Sequence, residues 1–80
     1  MTYVHILRGI TFPSEWYTGH TNDLKARLRD HNSGRSVHTA QCKPWGLVTY
    51  LAFNDETRAS QFEQYLKSGS GRAFARKHLR

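Results

Sequence analysis

Five side chains in this 80-residue chain could together work on a phosphate: His5, Tyr17, Arg27, His31 and Glu63. An arginine offers a planar fork that matches two phosphate oxygens. A lone carboxylate among cations suits one hard divalent ion such as Mg²⁺ or Mn²⁺, which takes one or two carboxylates and fills its sphere with water and substrate phosphate. Such an ion stabilises charge that develops on the phosphoryl group and the leaving oxygen. A neutral histidine or a tyrosinate can take a proton from water. This set matches phosphodiester hydrolysis.

The elements that must position these groups follow from local patterns. Residues 3–8, YVHILR, are β-branched and aromatic and predict a strand, with Val4 and Ile6 on one side and Tyr3, His5 and Leu7 on the other. Gly9 to Ser14 predicts a turn, and EWYT at 15–18 resumes extended structure, so the two segments form a hairpin. If the faces coincide, His5 and Tyr17 are neighbours across it. Thr21 or Asn22 then caps a helix with Asp23 in its first turn, where a carboxylate suits the dipole. Asp23, Arg27 and His31 fall on one stripe at steps of four, Leu24 and Leu28 face inward beside it, and Gly34 suits the exit.

Residues 35–45 form a polar loop, and GLVTYLAF at 46–53 is apolar enough for a central strand covered on both faces. Asn54 or Asp55 caps a second helix with Ala59, Phe62 and Leu66 buried, Gly69 and Gly71 break it, and a short basic helix follows near 71–79. The order β, β, α, β, α, α predicts one domain over residues 1–80. Its fold class is α/β or α+β, a small three-stranded, mostly antiparallel sheet flanked by helices.

Twelve Lys and Arg against six Asp and Glu give a formal charge of +6, which favours a polyanion as partner. No acid lies between Asn32 and Asn54, where Arg35 and Lys43 stand, nor after Glu63, where Lys67, Arg72, Arg76, Lys77 and Arg80 follow. Asn32, Arg35, Lys43, Lys67, Arg72 and Arg76, with Arg27, are the expected nucleic-acid contacts. The single cysteine, Cys42, permits no internal disulfide, and no apolar run approaches the ~20 residues of a membrane span. A cytoplasmic protein without a membrane association is expected, and no protein partner is implied.

Each residue also has a plain structural alternative. Tyr17 could be a half-buried strand residue, Arg27 could pair with Asp23 or Asp30, and Glu63 could pair with Lys67 at i+4. His5 could fill space in its strand. Trp16 and Trp45 could stack on bases or pack the core. His20, His38 and Cys42 make a poor zinc set, because no second pair stands at structural-site spacing. GSGR at 69–72 lacks the strand and lysine of a phosphate loop and is better explained as a helix break.

At the level of whole motifs the chain resembles the GIY-YIG nucleases over nearly its full length. Val4-His5-Ile6 stands for the first signature tripeptide and Tyr17-Thr18-Gly19 for the second. DLKARLRDHNSG at 23–34 resembles the family's arginine-bearing helix, PWGLVTYLAF at 44–53 its third strand, and FEQYLKSGSGRAF at 62–74 the helix carrying the metal-binding glutamate. The resemblance implies that Tyr17 touches the attacked phosphate or its water. It implies likewise that Arg27 holds the phosphate, that His31 shares proton transfer, and that Glu63 is the single metal ligand. His5 departs from the pattern, since tyrosine is usual there. With an unperturbed pKa near ~6.5 against ~10 for tyrosine, histidine is a ready base. Either His5 or Tyr17 is then the base and the other positions the water. The expectation is a divalent-metal-dependent DNA endonuclease acting on single-stranded or structured DNA, with duplex DNA also possible. The alternative is a nucleic-acid-binding module whose catalysis has lapsed.

Overall fold

The computed structural model describes residues 1–80. Three strands, β1 (Thr2–Gly9), β2 (Trp16–Thr21) and β3 (Trp45–Phe53), and three helices, α1 (Leu24–Ser33), α2 (Glu56–Leu66) and α3 (Gly69–His78), follow the expected order. A short 3₁₀ turn at Ala40–Cys42 lies in the loop before β3. The sheet order is β2-β1-β3, with both pairings antiparallel, so the fold is α+β.

The centre of the sheet is β1. Val4, His5, Ile6 and Leu7 are all 2% exposed or less, which only a strand covered on both faces can achieve. Val4 and Ile6 join Ala59, Leu66 and Ala75 in the main core, with Trp16, Phe53, Phe62 and Leu79 packed around them. His5 and Leu7 alternate to the opposite face and meet β2 at Gly19 and Tyr17. The expected central strand, β3, is instead an edge, and it leaves Leu47, Val48 and Tyr50 exposed. A continuous apolar run does not by itself distinguish a doubly covered strand from an edge strand. The short polar-looking YVHILR has the better claim because its histidine is buried.

The helix ends follow capping chemistry. Asp23, rather than Thr21 or Asn22, is the N-cap of α1, with its carboxylate accepting from the Ala26 amide at 3.0 Å. Gly34 ends the helix in the left-handed conformation at φ 83°. Asp55 caps α2 and Ser68 caps α3, the second turning the expected break at GSGR into a helix start. Each such cap contributes about 1 kcal/mol. The buried residue of α1 is His31, while Leu24 and Leu28 are only half-buried. No helix is long and apolar enough to cross a membrane.

Candidate active site

Four of the five candidate residues meet on the α1 side of the sheet. Antiparallel pairing sets His5 opposite Gly19 and Leu7 opposite Tyr17, which brings the His5 and Tyr17 rings to 6.1 Å between centroids. The His31 ring, delivered from the last turn of α1, lies 4.5 Å from Tyr17 and 6.3 Å from His5. Trp45 closes the far side at 6.4 Å from Tyr17.

Gly19 forms the floor. A Cβ built there would fall 2.9 Å from Tyr17 Cε2, 3.1 Å from the Tyr17 hydroxyl and 3.3 Å from His5 Nε2. Only glycine leaves that space free, and a hydroxyl and an imidazole nitrogen both border it. Neither nitrogen of His5 has a hydrogen-bond partner although the ring is 1% exposed. A buried polar ring without partners is rare, and its nitrogens are open to a ligand or water.

Burial sets the protonation of the pair of histidines. His5 is lowered to about 4, mainly by loss of solvation. The Tyr3 backbone pulls it upward without a hydrogen bond of good geometry, His31 and Arg27 press it down further, and Glu63 raises it slightly. His31 is lowered by burial and then by Arg27, with Asp30 opposing. Both rings are therefore neutral near pH 7. His31 Nδ1 lies 2.6 Å from Thr39 Oγ1, whose proton is directed to the Ser36 carbonyl at 3.4 Å. His31 Nε2 is also buried and unpartnered.

Arg27 makes no ion pair. Asp23 is spent on the helix cap and Asp30 pairs with Arg35 at 3.6 Å, so the structural alternative for Arg27 is not realised. Its charge still acts on both histidines, which marks it as a neighbour of the cluster. A half-buried guanidinium without a carboxylate is free for an oxyanion.

Glu63 comes from the other side, on α2, and reaches the β2 edge. One carboxylate oxygen is held by His20 Nδ1 and the other by Lys67 Nζ at 2.5 Å. The structural alternative for Glu63 is thus present, with His20 added. Burial raises its pKa, but the hydrogen bonds and charges of Lys67 and His20 outweigh that and hold it below the usual value. An ionised carboxylate is the donor a divalent cation requires, and the Lys67 ammonium paired with it is itself half exposed. No group of three His, Cys, Asp or Glu side chains is assembled. Any ion would therefore take its remaining ligands from water and substrate.

The other expected contacts divide. Asn32 uses both ends of its amide on the Trp45 backbone, at 3.1 and 2.5 Å, so it clamps β3 to α1 and is not free for a phosphate. The Lys43 ammonium lies against Gly34 at the C-terminal end of α1, where the helix dipole favours a cation. Lys67, Arg72 and Arg76 line a cleft beside Tyr17, on the far face of β2. The residues not anticipated are His20, Thr39, Arg8 and Arg80. Strand alternation puts His20 opposite Val4, but nothing local in the sequence says that α2 will bring Glu63 to it. Thr39 carries no signal at all in its polar loop.

The model of the GIY-YIG catalytic domain matches residues 1–77. The chain is 36% identical over 55 residues to the UPF0213 protein YazA of Bacillus subtilis, covering 68% of this chain and 56% of that one. It is 37% identical over 71 residues to the structure-specific endonuclease subunit SLX1 of Candida dubliniensis, covering 80% of this chain but 25% of that protein. Against the solution structure of the UPF0213 protein BH0048 from Bacillus halodurans the TM-score is 0.57 at 31% identity, over 96% of this chain and 84% of that one. The chain spans between about half and three quarters of the length of the first bacterial relatives it matches. With sequence and fold agreeing over almost every residue, the chain belongs to the GIY-YIG family.

Proposed function

We propose that the protein is a divalent-metal-dependent endonuclease that hydrolyses phosphodiester bonds in DNA. The observation that carries this reading is the space above Gly19, where the Tyr17 hydroxyl and the unpartnered His5 Nε2 converge beside a free Arg27. Arg27 holds non-bridging oxygens of the scissile phosphate. Tyr17 orients the attacking water, and neutral His5 accepts its proton. A base with a pKa of about 4 is weak alone, but a phosphate anion bound beside it favours the protonated form and raises that value. His31 Nε2 provides a second acceptor next to Tyr17. Glu63 would hold Mg²⁺ or Mn²⁺, which supplies neutralisation of charge on the phosphoryl group. The charge of +6 supports an anionic partner, and single-stranded or structured DNA is the substrate of this reading, with duplex DNA as the alternative. A cytoplasmic setting belongs to the same reading.

A second reading, a binding module without catalysis, is favoured by one observation: both Glu63 oxygens are already engaged by His20 and Lys67. Cleavage of labelled single-stranded, branched and duplex DNA in Mg²⁺ or Mn²⁺ separates the two. We expect the wild type to cut, and Arg27→Ala and Glu63→Ala to bind but lose at least ~100-fold in rate. Binding without cutting in either metal would transfer the conclusion to the second reading.

A further inference from the structure

Beyond the reaction centre, the opposite face of β2 carries a cleft of about 740 Å³. Its cations are Lys67, Arg72, Arg76 and Arg80, and Glu15 is the one acid on its wall. Arg72, Arg76 and Arg80 recur at steps of four, on one stripe of α3 and its end, with about 6 Å of rise per step. Arg8 and Arg80 both lie against the Trp16 ring, at 4.9 and 4.4 Å from ring to guanidinium carbon. None of the four arginines has a carboxylate partner. Burial, followed by the charges of Arg76, Arg72 and Arg8, lowers the Arg80 pKa, which reports how closely the cations crowd. Like charges held in one concavity favour an anion that repeats at a similar spacing. Tyr17 lines the same cleft and also borders the space above Gly19.

We propose that this cleft is a second backbone-binding site, holding successive phosphates of the nucleic-acid strand that leads away from the scissile bond. The strand crosses the sheet at the β2 edge, from Arg27 on one face to Arg72, Arg76 and Arg80 on the other. With two guanidiniums against it, Trp16 positions arginines rather than stacking on a base. The cleft therefore grips every sequence alike. The assignment takes its ligand class from the nuclease reading, but it is tested by binding alone.

The experiment is a salt titration of oligonucleotide binding by fluorescence anisotropy, without divalent metal, on wild type and on Arg72→Gln/Arg76→Gln/Arg80→Gln. A charge-matched control, Lys25→Gln/Arg58→Gln/Lys77→Gln, removes the same number of cations outside the cleft. Circular dichroism verifies that each variant is folded. For a single strand, each lost phosphate contact reduces the slope of log K against log salt by about 0.7. The cleft variant is expected to lose about two units of slope and at least ~tenfold in affinity at low salt, equally for mixed and homopolymeric oligonucleotides, while the control keeps most of both. Equal losses in the two variants overturn the proposal, because net charge alone would then explain binding. Binding to phosphatidylserine vesicles as tight as to DNA, lost in the same variant, overturns it as a nucleic-acid site. If the wild type never cuts DNA yet the slope loss is found, the cleft stands and the nuclease reading falls.

Discussion

At the residue scale the site depends on one missing methyl group. Gly19→Ala places a carbon 2.9 Å from the Tyr17 ring and in the space between the Tyr17 hydroxyl and His5 Nε2, which the proposed reaction needs open. We expect cleavage to fall by at least ~100-fold while overpacking costs about 1–3 kcal/mol, measured by initial rates and thermal melting. His5 ties the same site to pH. Its folded pKa of about 4 lies below the unfolded ~6.5, so its stabilising effect is complete above pH 6.5 and is lost as pH falls toward 4. That window is worth about 3 kcal/mol, and Glu63, also lowered, adds its own loss at still more acid pH. Melting temperature should therefore drop between pH 6.5 and 4, and His5→Gln should flatten that part of the curve. That Tyr17, Arg27 and His31 would lie on one side of the sheet was legible, because types and spacing coincide within one hairpin and one helix. His20 and Thr39 were not, since each gains its role from a residue that only tertiary packing delivers.

At the scale of elements, the position of α1 is decided by polar clamps more than by its leucines. Asn32 holds the Trp45 backbone through both ends of its amide, and His31 bonds Thr39 in the loop between them. Asn32→Ala leaves two part-buried backbone groups unpaired and should cost about 1–3 kcal/mol. Because it also loosens the helix that carries Arg27 and His31, we expect the rate to fall with the melting temperature. A mere loss of a phosphate contact would raise KM and leave melting unchanged, so the pair of measurements distinguishes the two roles. Strand and helix order was legible from periodicity and caps. The rank of the strands was not. Which strand lies in the middle depends on what covers each face, and the apolar composition of β3 pointed the wrong way.

At the scale of the whole molecule, the sheet divides labour between its faces. One side carries the apolar core under α2 and α3, the other carries neutral histidines and Trp45 under α1, and the β2 edge joins them. The net charge of +6 and the basic last helix were visible in the sequence, but the place of that helix beside β2 needed the fold. The central place of β1 has one more consequence. Its backbone is bonded on both sides, so its amide protons can meet solvent only when the entire sheet opens. Hydrogen exchange in β1 should report the global unfolding free energy, with β3 opening at lower cost. His5 lies within that last-opening strand. Partial unfolding can then fray the edges, Gly19 on β2 among them, while the strand that holds His5 stays closed until the whole protein opens.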